Sequence, residues 1–172
     1  MPKPLHLPIV YRSLRTPLGV MLLAAHANAL IGAWFEGQKD HPDVQNWQRE
    51  DDHALLSESA SQMTAYFEGQ RTDFDLPLGF VWGTDFQRDV WHALMRIKHG
   101  HTCTYRDVAE QIGRPAAVLA VGAAIGANPL SIVVPCHRVI GKNGSLTGYA
   151  GGLPRKRALL ALEQGEAWAE LA

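Results

Sequence analysis

Residues 104 to 126 read Thr-Tyr-Arg-Asp-Val-Ala-Glu-Gln-Ile-Gly-Arg-Pro-Ala-Ala-Val-Leu-Ala-Val-Gly-Ala-Ala-Ile-Gly, and this stretch decides the fold of the second half. Thr104 and Asp107 stand three apart, so hydroxyl and carboxylate can cap the orphan amides of a short helix carrying Val108, Ala109 and Ile112. Gly113 stops that helix, and Arg114-Pro115 starts another, with proline at the favoured first position. Helix, glycine turn, helix is the helix-turn-helix pattern, which serves nucleic-acid binding in some folds and plain packing in others.

The second of these helices, predicted over residues 115 to 126, has two unlike faces. At about 100° per residue, Val118, Val121, Gly122 and Ile125 point to the core, while Ala116, Ala120, Ala123 and Ala127 form the opposite face with Leu119 at its edge. A solvent-facing helix normally carries Lys and Glu there. An alanine face lets another surface approach the backbone, yet offers none of the side chains that read major-groove base edges. It either makes a shallow, sequence-tolerant contact with DNA in the minor groove or packs on the first half of the chain.

Upstream, Thr84-Asp85-Phe86-Gln87 is a capping box that opens a helix with Phe86, Val90, Trp91, Leu94 and Ile97 on one face. Pro77, Gly79 and Gly83 mark the join between two lobes, residues 1–83 and 84–172. The first lobe opens with three apolar stretches, around Ile9-Val10-Tyr11, residues 19 to 23 and residues 29 to 35. Thr16-Pro17-Leu18-Gly19 and His26-Ala27-Asn28 punctuate them at hairpin spacing. This predicts an antiparallel meander, then an acidic surface loop over residues 36 to 53, then a helix over about 54 to 68 with Leu55, Leu56, Met63, Tyr66 and Phe67 as its apolar set.

The 172 residues are 47% hydrophobic and 19% charged, which excludes collagen-like, disordered and disulfide-scaffold classes. No apolar run reaches the length of a membrane span and the N-terminus lacks a signal-peptide core, so a soluble, cytoplasmic protein without membrane contact is expected. The net charge of -1 hides a split: residues 84 to 163 hold 10 Lys and Arg against 5 Asp and Glu, while residues 1 to 83 hold 6 against 10. The second lobe therefore either meets a polyanion or carries an uneven scatter of surface charge. Arg106, Arg114 and Lys142 are candidate phosphate contacts.

Downstream of the helix pair, Asn128-Pro129 ends the second helix and residues 130 to 134, Leu-Ser-Ile-Val-Val, are predicted as a buried strand halting at Pro135. Pro135-Cys136-His137-Arg138-Val139-Ile140 follows. A thiol beside an imidazole and the cationic Arg138 has the means to become thiolate, although a lone buried cysteine or histidine is also ordinary packing. Thr147-Gly148-Tyr149-Ala150-Gly151-Gly152 is a loop that brings backbone amides close to a ligand, and residues 154 to 163 read as a basic-faced helix ending in Glu163. With only two cysteines, Cys103 and Cys136, and no CxxC pair, cysteine chemistry here is thiol chemistry. A zinc site from Cys103, Cys136, His99 and His101 fits no common spacing, so no metal and no cofactor are expected.

The run from Asn128-Pro129 through Pro135-Cys136-His137-Arg138-Val139 to Gly148-Tyr149-Ala150-Gly151-Gly152 and Glu163 resembles the active-site signature of the O6-alkylguanine-DNA alkyltransferases. The similarity covers about residues 84 to 163, and more loosely the first lobe through Thr16-Pro17-Leu18-Gly19 and Tyr66-Phe67. It implies a ribonuclease-H-like α/β N-terminal lobe and a mainly helical, winged-helix-like C-terminal lobe containing the helix-turn-helix. It also implies a monomer that binds double-stranded DNA through the minor groove, largely independently of sequence, and transfers an alkyl group from O6-alkylguanine once and irreversibly to Cys136. O4-alkylthymine is a second candidate substrate.

By the same resemblance, His137 is the base for Cys136 through a bridging water, Glu163 orients His137, and Asn128 braces the turn before the active-site segment. Tyr105 helps rotate the nucleotide and bonds a guanine ring nitrogen. The carbonyls of Cys136 and Val139 accept from the exocyclic amine. Tyr149 and Ala150 close over the base, with the Ala150 amide near the alkylated oxygen. Ala116, Leu119, Ala120 and Ala123 face the DNA. The family usually has an arginine that enters the duplex, and the register from Asn128 and Cys136 puts that role on Leu119, which can act only as an apolar wedge. Rival classes are a cysteine hydrolase that turns over on acyl substrates, a lesion-sensing module, which in such relatives lacks the cysteine, and a transcriptional regulator.

Overall fold

The computed structural model describes residues 6–166; residues 1–5, and residues 167–172 at the end of the span assigned to the second lobe, lie outside the described residues. Strands β1 (Val10–Thr16), β2 (Gly19–His26) and β3 (Ala29–Phe35) form the expected antiparallel meander. The first hairpin is clamped where Thr16 Oγ1 donates to the Gly19 carbonyl at 2.6 Å and accepts from the Leu18 amide at 3.1 Å.

The acidic stretch 36 to 53 is not loop throughout. It contains β4 (Gln48–Arg49), which pairs parallel with β1 and completes the order β3-β2-β1-β4. The cause is Trp47: its ring lies 5.9 Å from that of Trp34 and stacks at 6.3 Å on Trp82, covering one face of the sheet. Alternate residues point the other way, so Met21, Leu23, Ala33 and Phe35 pack instead with helix α1 (Ala54–Phe67). In α1, Leu56, Met63, Tyr66 and Phe67 are buried and Leu55 is half-buried.

Helix α2 (Asp85–Leu94) begins with the expected capping box, Gln87 N–H to Thr84 Oγ1 at 3.2 Å and Thr84 N–H to Gln87 Oε1 at 2.9 Å. It stops at Leu94, so Ile97 is buried from beyond the helix end. Strand β5 (Cys103–Thr104) leads directly into α3 (Tyr105–Gln111), which is capped reciprocally by Thr104 and Asp107. Gly113 follows with φ +74°, the left-handed turn that closes the helix.

The next helix, α4 (Val118–Gly126), starts three residues later than proline at a first helical position predicts. Pro115 instead occupies a β-turn, in which the Ala117 amide donates to the Arg114 carbonyl at 2.9 Å. Val121, Ala124 and Ile125 face the core, and Trp91 Nε1 donates to the Ala124 carbonyl at 2.8 Å, pinning α4 on α2. Strand β6 (Val139–Ile140) pairs parallel with β5, and α5 (Leu153–Glu163) closes the described chain with Pro154 in its first turn. The architecture is an α/β first lobe and a mainly helical second lobe with a helix-turn-helix. One buried apolar cluster runs from β2 and β3 through α1 into α2, α4 and Cys136. Among the described residues no helix is long and apolar enough to cross a membrane.

Candidate active site

Residues 130 to 134 do not form the strand that their apolar run suggests. Only isolated bridges are present, Leu130 to Ala33 and Ser131 to Val134, and the chain curls through Ile132 at φ +73°. The buried Asn128 side chain imposes the curl: Oδ1 accepts from the Leu130 amide and Nδ2 donates to the Val134 carbonyl, both at 2.9 Å. A backbone-like clamp of this kind satisfies groups that a sheet partner would otherwise take. The Cys136 amide donates to the Val134 carbonyl at 2.8 Å, so the clamp also fixes the cysteine at the head of a 3₁₀ turn, Cys136–Arg138.

Cys136 and His137 are buried, the thiol residue 4% exposed. His137 Nε2 lies 2.8 Å from Glu163 Oε2. Arg138 donates from Nε to Oε1 at 2.8 Å and from Nη2 to Oε2 at 2.9 Å, and its Nη1 is held by the Ile97 carbonyl. Tyr66, from α1 in the first lobe, donates to Oε2 at 2.7 Å. Burial alone would raise the Glu163 carboxyl, but bonds from His137 and Arg138 outweigh it and hold the group well below the usual carboxylate range. With Glu163 ionised, Nε2 carries the histidine proton and donates it. Burial lowers the pKa of His137 against the opposing pull of Glu163, so the ring is neutral at pH 7. Its Nδ1 is buried and has no hydrogen-bond partner among the described residues.

Arg138 is therefore not the cation that serves the thiol, as its place in the sequence suggests; Glu163 has taken it. The cation facing Cys136 is Lys156. The thiol is pushed up by burial and pulled back by the Asn128 amide and the Lys156 charge. Nor is α5 simply basic-faced: Lys156 is fully buried, and Nζ donates to the carbonyls of Val139 at 2.6 Å, Thr147 at 3.0 Å and Gly148 at 3.2 Å. Tyr105 Oη also donates to the Thr147 carbonyl, at 2.7 Å. The first lobe holds the same loop from outside, through the Lys39 amide to the Ala150 carbonyl at 3.3 Å and through Arg155, which donates to the Leu18 and Gly151 carbonyls over the Phe35 ring. Tyr149 packs inside this loop with its hydroxyl buried, which raises its phenol well above the ordinary value.

The alanine face of α4 does not pack on the first lobe. Ala116, Ala120, Ala123 and Ala127 are exposed, and Leu119 is 92% exposed. Between this helix and the 148 to 150 loop lies a cavity of about 450 Å³, walled by Tyr105, Gly122, Ala123, Tyr149, Ala150 and, from the first lobe, Lys39 and Asp40. That volume lies within the usual range of small-ligand sites. Cys136 does not line it. Another cleft, of about 540 Å³, opens between the segment 72 to 80 and the end of α2 and reaches Pro135 and Arg138, but neither Cys136 nor His137 lines it. Arg106, Arg114 and Lys142 are all exposed, Arg114 stacking its guanidinium 5.7 Å from the Phe86 ring centre.

Two residues of this site escape a reading of the sequence. Tyr66 reads as one more apolar contact of α1. Lys156 reads as surface charge, although it shares a helical face with Leu159 and Glu163 at spacings of three and seven, a signal that it points inward.

A buried cysteine followed in the chain by a buried imidazole that is bonded to a carboxylate, carried by a helix-turn-helix lobe docked on an α/β lobe, defines a protein with a cysteine-centred site. The chain belongs to the 6-O-methylguanine DNA methyltransferase family: residues 9–80 match its ribonuclease-like domain and residues 85–165 its DNA binding domain. It is 47% identical over 163 residues to the methylated-DNA–protein-cysteine methyltransferase of Mycobacterium tuberculosis, covering 95% of this chain and 97% of the relative. It is 48% identical over 148 residues to the inducible enzyme of that name from Bacillus subtilis, covering 80% and 82%. The crystal structure of Mycobacterium tuberculosis OGT in complex with DNA superposes with a TM-score of 0.87 at 44% identity, over 94% of this chain and 98% of that one.

Proposed function

We propose that this protein is a single-turnover DNA repair methyltransferase. It moves the alkyl group of O6-alkylguanine, and as a second candidate O4-alkylthymine, from double-stranded DNA onto Cys136. The reading is carried by the buried series Cys136, His137, Glu163 lying behind a helix whose exposed face is alanine and leucine. It is supported by the relatives' names and by the DNA-bound neighbour.

The monomer would lay α4 along the minor groove, where Ala116, Ala120 and Ala123 allow close approach without reading sequence and Leu119 enters the stack. Arg106, Arg114 and Lys142 would contact phosphates. The lesion nucleotide must leave the duplex to be reached, at a cost of a few kcal/mol. It would enter beside Tyr105, Tyr149 and Ala150. Because the sulfur lies beyond the cavity lining, entry requires the 147 to 150 loop to shift, exchanging the Tyr105 bond to Thr147 for one to a guanine ring nitrogen. The carbonyls of Cys136 and Val139 would take the exocyclic amine, the latter using its second lone pair beside Lys156.

His137 Nδ1 would accept the thiol proton through one water while Glu163 holds the ring by Nε2. The sulfur forms a bond to the alkyl carbon in line as the bond from that carbon to O6 breaks. The electron pair stays on guanine, which takes up a proton as it leaves, with the Ala150 amide and Tyr105 stabilising the charge that develops. The product thioether cannot be hydrolysed by an activated water, so each molecule reacts once and needs no cofactor. The proposed division into lobes at residues 83 and 84 separates the acidic α/β part from the part that meets DNA.

Intact mass spectrometry after mixing with an O6-methylguanine oligonucleotide tests the reading. One methyl mapped to Cys136, absent in Cys136→Ala, is expected. Product beyond one equivalent, or an unmodified Cys136 in excess lesion, would reject it.

A further inference from the structure

Four donors converge on the carboxylate of Glu163, and they are unevenly shared. Oε1 accepts one bond, from Arg138 Nε, whereas Oε2 accepts three, from His137 Nε2, Arg138 Nη2 and Tyr66 Oη. Tyr66 therefore binds the same oxygen that orients the histidine. It is the only one of the three that comes from the first lobe. Its ring is 1% exposed and fixed edge-on by Phe67 and His99 and against Phe74, so the hydroxyl has one direction in which to point.

We propose that Tyr66 is a positioning residue of the thiol relay, through which the first lobe sets both the direction and the basicity of the Glu163 oxygen that faces His137. This rests on the reading of Cys136 as alkyl acceptor. A donor on Oε2 withdraws charge from the atom that would otherwise stabilise an imidazolium, so the bond keeps His137 neutral and ready to accept a proton. The hydroxyl itself stays protonated, because burial and then the adjacent carboxylate raise its pKa well above the ordinary value. The other titratable groups at this cluster are Arg138 and Cys136, which flank His137 in the chain, Lys156 and Glu163 on α5, Tyr149 in the loop, and His99 against the Tyr66 ring. Among the described residues, only Tyr66 and Arg138 share the carboxylate with His137, and Arg138 spans both oxygens.

The test uses the full chain and single-turnover methyl transfer from an O6-methylguanine oligonucleotide between pH 5.5 and 8.5, read by intact mass, for wild type, Tyr66→Phe, Glu163→Gln and the double variant. Phenylalanine keeps the ring and removes only the hydroxyl. The expected result is an acid limb moved up by about half a unit as His137 becomes easier to protonate, which lowers the rate about threefold along that limb. In the Glu163→Gln background, Tyr66→Phe should add nothing further, since the hydroxyl acts through that carboxylate. An unchanged rate and profile would overturn the proposal. So would additive effects in the double variant, or loss of a cooperative thermal transition in Tyr66→Phe, either of which makes the hydroxyl merely structural. If the wild type itself gains no methyl, the reading of Cys136 fails and this proposal falls with it, an outcome distinguished by needing no variant.

Discussion

Lys156 Nζ donates to the carbonyl of Val139 across 2.6 Å, joining the first turn of α5 to the strand that follows the cysteine turn. The same ammonium holds Thr147 and Gly148, so one buried cation ties three backbone segments around Cys136. Burial lowers its pKa and the sulfur pulls it back up. The reciprocal effect is that Lys156 favours the thiolate.

Replacing this ammonium with a methyl thioether should therefore be felt at the sulfur. In Lys156→Met the Cys136 pKa is expected to rise further and carboxamidomethylation by iodoacetamide at pH 7 to 8 to slow by about tenfold. Stability should fall by about 2 kcal/mol, the scale of a hydrogen bond made by a charged donor. Peptide mapping of Cys136 against time, with urea unfolding alongside, checks both. Equal alkylation rates in the two proteins would separate Lys156 from the thiol.

Glu163 and His137 give the fold a defined response to acid. Both are held below their ordinary values of 4.5 and 6.5, so the unfolded chain binds their protons more readily than the folded one. The stabilisation is complete above those ordinary values. It is lost as pH falls, first below about 6.5 through His137 and then below about 4.5 through Glu163. Urea midpoints measured from pH 7 to pH 3 should follow this course. Glu163→Gln should lose about 3 kcal/mol at pH 7, because Arg138 is left buried without its partner, and should lack the steep loss below pH 4.5.

Asn128 offers a test of whether the curl before Cys136 matters more than its apolar composition. Asn128→Ala leaves the Leu130 amide and the Val134 carbonyl without that partner inside the core and should cost about 2 to 4 kcal/mol. It should also slow methyl transfer by more than the loss of folded protein explains, since the cysteine turn hangs from Val134. A rate unchanged per folded molecule, with fraction folded taken from near-ultraviolet circular dichroism, would confine Asn128 to stability.

Patterns with a local physical cause were legible in the sequence. The hairpin strands, both capping boxes and Gly113 each follow from neighbours within a few residues, whereas the alanine face of α4 left two partners open and only its exposure decides between them. What was not legible depended on partners distant in the chain. Residues 130 to 134 look like a strand, but the Asn128 side chain reaches their backbone first. Arg138 stands next to the histidine in sequence yet spends its charge 25 residues away on Glu163, while Lys156, 20 residues after the cysteine, supplies the cation at the sulfur. Tyr66 carries no local mark of its role because its partner lies 97 residues on. Pro115 departs from its sequence pattern for a different reason: the same ring suits a helix start and a β-turn, and only the Arg114 to Ala117 hydrogen bond decides.

The most exposed large apolar side chain among the described residues, Leu119, sits at the start of α4 where the family resemblance expects an arginine. At 92% exposure it contributes almost nothing to the core, so its substitution should leave the urea midpoint within about 0.5 kcal/mol. Any effect on repair would then come from the DNA side. A leucine wedge can replace the stacking of an extruded base but cannot hydrogen-bond the base left opposite, whereas a guanidinium can do both. Leu119→Arg should accordingly raise the methyl-transfer rate on duplex DNA by about tenfold, equivalent to about 1.4 kcal/mol, and raise the rate on single strands far less. Rapid-quench rates on matched duplex and single-stranded oligonucleotides give the ratio directly. A duplex rate equal to that of the leucine protein would mean that position 119 does not enter the stack, and that α4 engages DNA by its alanine face alone.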